Sequence, residues 1–267
     1  MRLESPVNTC TDQANPAAEH GPDNFASFSA EMQSDAPQQV SYNFSGMDLQ
    51  DLLVGEICAG SARLTKTVRS KGMRGLAVDK TKGRSCGTEI MLLDLTLKQD
   101  LQILLQILQS EASRIALVFI SPPCGTASKA RERPIKASLL FGRKQPEPLR
   151  TWDKPDQKDK LSGLDKVKTE MANQLYEAIT TLVLECHRLG LWVLVENPRN
   201  SLYWSTSFAM RYIAAITTFW IDFHNCAHGG SRDKLTRLWS NKDWGSSLQD
   251  RKSTRLNSSH LVISYAV

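Results

Sequence analysis

Short, unbroken apolar runs alternate with helix-like segments through the middle of this chain. Runs of this kind, rather than alternating apolar and polar residues, are typical of strands in a parallel sheet covered on both faces by helices. The pattern therefore predicts an α/β fold with a mostly parallel, seven-stranded sheet. The predicted strands cover 51–57, 73–78, 90–93, 115–120, 191–195, 219–226 and 235–240. The predicted helices cover 61–71, 98–111, 164–189 and 208–217.

The two ends of the chain do not share this pattern. Residues 1–47 are rich in Ser, Asn, Gln, Pro and Ala and carry few aliphatic side chains, which predicts a disordered N-terminal tail. Residues 250–267 resemble the translation of a common sequencing adapter, so we exclude them from the fold and expect the chain to be truncated at its C-terminus. One folded domain is therefore expected over 48–249.

Charge and cysteine content narrow the class of protein. The net charge is +5, and six acids lie in residues 1–47, so the predicted domain itself is basic. Its segment 129–170 holds twelve Lys and Arg against seven Asp and Glu, which predicts a basic loop insertion that contacts nucleic-acid phosphates, although a solvated loop fits equally well. Six irregularly spaced cysteines and no apolar run long enough for a membrane helix predict a reduced, intracellular protein without membrane contact.

Polar side chains follow the predicted strands at the point where each strand ends. Because ligands of parallel sheets bind beyond the carboxyl ends of the strands, these residues are expected to lie along one edge. They are Glu56, Asp79, Asp94, Cys124 and Glu196. Each also has a plainer interpretation: a tight turn, a helix cap, an inert buried thiol, or a carboxylate paired with a lysine.

Two of these residues, Cys124 and Glu196, lie in short motifs that indicate a specific chemistry. In Ser121-Pro-Pro-Cys124, the prolines fix a rigid turn that holds the cysteine at the edge of the sheet, where a deprotonated thiol is a nucleophile. In Glu196-Asn-Pro198, the carboxyl group can hydrogen-bond a ring nitrogen of a heterocycle. Asp79, at the end of the second strand, suits ribose hydroxyls, but the dinucleotide fingerprint G-x-G-x-x-G is absent.

Taken in order, these sequences resemble the motifs of the DNA cytosine-5 methyltransferases. The resemblance runs over residues 50–241 and points to a divergent, retroelement-like member of that family. It implies a Rossmann-like methyltransferase fold, S-adenosylmethionine as cofactor, DNA as partner and a monomer in the nucleus. The motifs are ICAGSAR, the strand-end Asp79, LLDLT, SPPCGTAS, ENPRNSL and KLTRLWSN.

The resemblance also implies a role for each residue. Cys124 would attack C6 of cytosine, Glu196 would hydrogen-bond N3, and Arg237 would contact the base carbonyl. The base must leave the stack for this chemistry. The cofactor would be held by Glu56, Cys58, Ala59 and Gly60 at its amino-acid part, by Asp79 at the ribose, by Asp94 at the adenine amine, and by Pro123.

Departures from the family pattern leave other functions open. Gly125 stands where the family has Gln, and Asp233 and Leu235 replace a Gln and an Arg. The alternatives are a methyltransferase acting on an exocyclic amine (N4 of cytosine or N6 of adenine), one acting on RNA, and a non-catalytic, retroelement-associated nucleic-acid-binding domain. The sequence His224-Asn-Cys226-Ala-His228 is weak evidence for zinc, and no metal site is predicted.

Overall fold

The computed structural model describes residues 44–83, 87–132, 134–136, 145–228 and 234–243. The predicted N-terminal tail up to residue 43, Asp233 and the predicted adapter-derived segment lie outside the described residues.

A single seven-stranded sheet organises the described residues. Its spatial order is β3-β2-β1-β4-β5-β7-β6. The strands β1 to β5 run parallel, whereas β7 lies antiparallel between β5 and β6. This arrangement confirms the predicted α/β, mostly parallel sheet and agrees with a Rossmann-like methyltransferase fold. The strands are β1 (Leu53–Ile57), β2 (Arg74–Asp79), β3 (Met91–Leu92), β4 (Ile115–Ile120), β5 (Val193–Pro198), β6 (Phe219–His224) and β7 (Leu235–Ser240).

Helices cover both faces of this sheet. Alternate residues of β1 separate the two sides: Val54 packs with Val68 on one face, whereas Leu53 and Ile57 join the main core on the other. One helix therefore covers the first face, and the remaining three lie against the second. The helices are α1 (Arg63–Ser70), α2 (Lys98–Ser110), α3 (Gly163–Arg188) and α4 (Ser207–Ala215). None of the helices in the described ranges is long and apolar enough to cross a membrane.

The second face of the sheet also carries an aromatic core. Trp239 of β7 is fully buried and meets Tyr212 of α4 edge-on, with 4.8 Å between the ring centroids. The Tyr212 hydroxyl lies 3.2 Å from that of Tyr203, so both buried hydroxyls have a partner. These contacts fasten the antiparallel end of the sheet to α4.

Strand β5 is longer than its apolar run predicts. Residues Glu196, Asn197 and Pro198 pair in antiparallel register with Leu238, Arg237 and Thr236 of β7. The partner strand, not local hydrophobicity, therefore keeps the Glu-Asn-Pro sequence extended. It lies within the strand rather than in a loop after it.

Candidate active site

A cavity of about 480 Å³ opens at the carboxyl ends of β1, β2, β3 and β4. The N-terminal half of α3 closes it from one side. Its walls are mostly apolar with a few polar groups, which is typical of small-molecule sites. The lining residues are Cys58, Val78, Asp79, Lys80, Leu93, Asp94, Leu95, Thr96, Pro123, Gly125, Thr126, Lys168, Met171, Ala172, Leu175 and Tyr176.

The turn between β1 and α1 has an unusual backbone. Cys58, Gly60 and Ala62 all adopt positive φ angles, of 57°, 56° and 52°. Left-handed backbone is strained for Cys and Ala, so the surroundings must hold it in place. Asp79 does so from the neighbouring strand, because its Oδ2 accepts a hydrogen bond of 2.9 Å from the Gly60 backbone N–H.

Glu56 has a different contact from the one expected of a cofactor ligand. It is buried, and its Oε2 accepts hydrogen bonds from the backbone N–H and the hydroxyl of Thr65, at 2.7 and 2.6 Å. Thr65 lies in the first turn of α1, where backbone N–H groups lack helical partners and a carboxylate is favourable. Glu56 thus fixes α1 to β1, and it is not among the described residues that line the cavity.

Asp94 enters the cavity wall from the end of β3. Its Oδ1 accepts hydrogen bonds from the backbone and hydroxyl of Thr96, at 3.1 and 2.7 Å, and its Oδ2 lies 3.5 Å from Lys80 Nζ. Partial burial raises the pKa of Asp94, but the Thr96 hydrogen bonds and the Lys80 ammonium outweigh it and leave that pKa below its ordinary value. Asp94 is therefore a carboxylate at neutral pH, with lone pairs to spare.

The loop that carries Cys124 is held at three consecutive residues. The Ser121 hydroxyl donates to Glu196 Oε2 at 2.7 Å, and the Asn197 amide donates to the Pro122 carbonyl at 3.0 Å. The Tyr176 hydroxyl donates to the Pro123 carbonyl at 3.1 Å. We call this set of three bonds the loop brace. It joins the two most specific sequence motifs of the chain into one unit, of which Pro123 and Tyr176 line the cavity.

Cys124 itself is half-buried and lies between two residues that line the cavity, Pro123 and Gly125. Its carbonyl accepts a hydrogen bond of 3.0 Å from Ala127 N–H, which closes a turn directly after the loop brace. The second thiol at the cavity, Cys58, is different. Burial, and then the charge of Asp79, raise the pKa of the Cys58 thiol to about 12, so it remains a protonated wall residue.

Glu196 has a protein partner on each carboxylate oxygen. Ser121 occupies Oε2, and Lys234 Nζ lies 2.9 Å from Oε1. The side chain of Glu196 is only 16% exposed, whereas that of Lys234 is 41% exposed. The lysine can therefore move towards solvent and release Oε1 without disturbing the loop brace.

The structure does not bring Arg237 to Glu196. Opposed residues of an antiparallel pair share a face, so Arg237 lies on the face of Asn197, and Glu196 lies on the opposite one. The Nε and Nη2 groups along one edge of the Arg237 guanidinium donate to the two carboxylate oxygens of Asp222, at 2.7 and 2.8 Å. The guanidinium lies 5.0 Å from the centre of the Trp220 ring. A role in contacting the base remains a prediction for Arg237.

Three residues at this site escaped the sequence analysis: Arg150, Tyr176 and Lys234. Arg150 was counted with the basic loop that contacts phosphates, yet it is fully buried and donates to Thr126 and Asn173. No local signal distinguishes it from its exposed neighbours, because its burial depends on α3. The helical prediction over 164–189 did place Tyr176 in a helix, but not against the Pro123 carbonyl.

The residues present fit the ribose and adenine parts of S-adenosylmethionine better than its amino-acid part. Asp79 and Asp94 line one cavity with Pro123 and Cys58, and a carboxylate that accepts one or two bonds can accept more. A volume of about 480 Å³ lies in the usual range for small-molecule sites. Glu56 is already bound to Thr65, and the N–H groups of Ala59 and Gly60 are bonded to the Val78 carbonyl and to Asp79 Oδ2. None of the three is among the described residues that line the cavity, so a contact with the amino-acid group remains a prediction for them.

The chain is similar in fold to the crystal structure of S. pombe Dnmt2 methyltransferase, with a TM-score of 0.42 and 11% sequence identity over 73% of this chain and 52% of that one. The chain thus spans about half the length of that protein. No protein-family profile matches the sequence, and no curated protein does.

Within the described ranges, no group of three or more His, Cys, Asp and Glu side chains is arranged to hold a metal ion. His228 of the weak zinc-like sequence instead packs edge-on against Phe223, at 5.2 Å between ring centroids.

Proposed function

We propose that this domain transfers a methyl group to C5 of cytosine in DNA, with S-adenosylmethionine as the donor and Cys124 as the nucleophile. One observation carries the proposal: the loop brace joins the Cys124 loop to Glu196 and Asn197, and the neighbours of Cys124, Pro123 and Gly125, line the cavity that also holds Asp79 and Asp94. A nucleophile, a carboxylate that can reach a base, and two carboxylates suited to a nucleoside then share one edge of the sheet.

Each residue has a distinct task in this proposal. The Cys124 thiolate bonds to C6 of the cytosine, which raises electron density at C5. Glu196 accepts a hydrogen bond from the exocyclic amine or, when protonated, donates to N3, and so orients the base. S-adenosylmethionine supplies an electrophilic methyl group when it is bound. Loss of the C5 proton and cleavage of the C6–S bond then regenerate the aromatic ring and the thiolate.

The release of Glu196 from Lys234 is part of the proposal. In this proposal, a base that approaches Glu196 takes the place of the Lys234 ammonium at Oε1, while Ser121 keeps its hydrogen bond to Oε2. The displaced ammonium is then free to contact a phosphate of the same strand. The lysine would then exchange its ion pair with Glu196 for one with a phosphate, while Glu196 would keep the Ser121 hydrogen bond and gain one from the base.

A trapping experiment tests this function. The protein is incubated with S-adenosylmethionine and a DNA duplex that contains 5-fluorocytosine, where fluorine cannot leave as the proton does. We expect a covalent protein–DNA adduct that Cys124→Ser abolishes. Cys226→Ser, which removes an exposed thiol outside the cavity, is the matched control and keeps the adduct. An RNA strand of the same sequence identifies the preferred substrate.

A second candidate is a nucleic-acid-binding domain without turnover. The contacts of Arg237 favour it, because that guanidinium is held by Asp222 and Trp220 on the face opposite Glu196. This candidate predicts cofactor or oligonucleotide binding, by calorimetry, with no adduct on DNA or RNA.

A further inference from the structure

A tight turn presents a tryptophan to solvent close to the Cys124 loop. The backbone N–H of Thr151 donates to the Lys154 carbonyl, and the N–H of Lys154 donates to the Thr151 carbonyl, both at 3.2 Å. This reciprocal pair closes a four-residue turn. Trp152 occupies the tip of the turn, and 59% of its surface is exposed. The turn thus holds a large aromatic side chain in water on a fixed backbone.

The turn is anchored by a buried guanidinium. Arg150, directly before the turn, is fully buried, and burial lowers its pKa below the ordinary value. Its Nη2 donates to Asn173 Oδ1 at 2.8 Å and to Thr126 Oγ1 at 3.2 Å, and its Nη1 donates to the Pro155 carbonyl at 2.9 Å. Thr126 lines the cavity and follows Cys124 by two residues. A buried charge must be fully bonded, so this anchor fixes the turn firmly to the Cys124 loop.

A cation completes the surface. Lys129 Nζ lies 4.7 Å from the centre of the Trp152 ring. Lys129 begins the short 3-10 turn Lys129–Glu132, immediately after the segment that carries Cys124 and Thr126. The indole and the ammonium therefore meet although they come from separate segments. We call Trp152 and Lys129 together the tryptophan platform.

We propose that the tryptophan platform binds an unpaired nucleotide of the strand whose cytosine enters the site, an inference that rests on the proposed function. An exposed indole stacks on any base because every base has a π face, and an adjacent ammonium neutralises the neighbouring phosphate. The same pair fits a protein partner less well, since an acidic peptide would use the ammonium but leave the ring without a planar partner. Rigid anchoring also suits the task, because the turn is already ordered and loses little conformational entropy when a nucleotide binds.

Binding of a fluorescein-labelled, cytosine-containing single strand, measured by anisotropy without cofactor, tests the platform. We expect Trp152→Ala to weaken binding about 5- to 150-fold, the range for loss of one stacked base. Trp152→Phe keeps a ring and should retain most of the affinity. Lys129→Met should lower the slope of log affinity against log salt by about one phosphate contact. Leu164→Ala, at a side chain that is 76% exposed, is the control for loss of exposed apolar surface.

Several outcomes would overturn the proposal. Affinity of Trp152→Ala within twofold of the unsubstituted protein would do so, as would equal losses in Trp152→Ala and Leu164→Ala. Polyglutamate that competes as well as an oligonucleotide of equal charge would show that the platform recognises an acidic polymer rather than bases. An unchanged thermal unfolding midpoint in Trp152→Ala shows that the variant is folded. The assay involves no methyl transfer, so a missing 5-fluorocytosine adduct with normal platform binding would count against the proposed function alone.

Discussion

The side-chain amide of Asn197 donates a hydrogen bond of 3.0 Å to the carbonyl oxygen of Pro122, and the amide is completely buried. The bond crosses from β5 to the loop after β4, two residues before Cys124. It ties a residue of the Glu-Asn-Pro sequence to the Ser-Pro-Pro-Cys sequence. The geometry of the Cys124 loop therefore depends on a residue that is itself too buried to touch a substrate.

Asn197→Ala should lower the free energy of unfolding by about 1–3 kcal/mol, since it leaves the Pro122 carbonyl buried without a donor. The adduct with 5-fluorocytosine should form more slowly, while cofactor binding is retained. Urea unfolding and a time course of adduct formation measure the two effects. Asn225→Ala, which removes a half-buried amide bonded to Thr236, is the control. Adduct formation at the unsubstituted rate would contradict a positioning role for Asn197.

Gly83→Ala should disturb the turn between β1 and α1. A Cβ atom at residue 83 would lie 2.0 Å from the Gly60 carbonyl oxygen, so the two backbones must move apart, which strains the hydrogen bond from Gly60 to Asp79. We expect at least a tenfold loss of cofactor affinity, about 1.4 kcal/mol, measured by isothermal titration calorimetry. Gly55→Ala, where the nearest atom lies 3.9 Å away, should bind normally. Equal affinities of the two variants would argue against cofactor binding at this turn.

Glu56→Gln separates a structural role from a cofactor-binding one. The substitution removes the negative charge beside the first turn of α1 but keeps an oxygen that can accept from Thr65. Stability should fall by about 1 kcal/mol, with cofactor affinity changed less than about threefold. Denaturant unfolding and calorimetry give the two quantities. A large loss of affinity at unchanged stability would restore Glu56 as a direct ligand.

His187 should make stability depend on pH near neutrality. Burial, and then the Lys242 ammonium, lower the pKa of His187 below 6.5, so the folded protein favours the neutral imidazole. The stability that this provides is fully present above about pH 6.5 and is lost as the pH falls through the lowered pKa. Urea unfolding between about pH 5 and 8 should show this decline, and His187→Gln should flatten it. The same slope in both proteins would exclude His187 as its source.

Most of the sheet could be predicted because most of its strands coincide with short apolar runs in the sequence. The predictions for β4 and β7 match the structure residue for residue. The end of β5 could not be predicted, since Glu196 and Asn197 stay extended only through pairing with β7. Sequence pattern reveals which residues prefer burial, but not which distant strand will supply hydrogen bonds.

The candidate site was predictable only in part, for a related reason. Asp79 and Asp94 line the cavity, as the strand-end rule predicts. Glu56 also lies near the carboxyl end of its strand. Its side chain points to the face covered by α1, because side chains alternate along a strand. Arg150 shows that the location of a charge is equally hard to predict, because composition counts every arginine alike. Tertiary packing buries this arginine among carbonyl and amide oxygens.

The loop brace also bears on how this protein is made. Ser121 and Glu196 are separated by 75 positions in the chain, as are Pro122 and Asn197. During synthesis, the Cys124 loop leaves the ribosome well before Glu196 and Asn197 do. The Cys124 thiol therefore lacks its final surroundings at a stage when β1 to β4 are already able to pair. Reactivity of that thiol in a nascent chain should therefore change when β5 emerges and docks. The order of translation thus sets the moment at which the cysteine acquires its final surroundings.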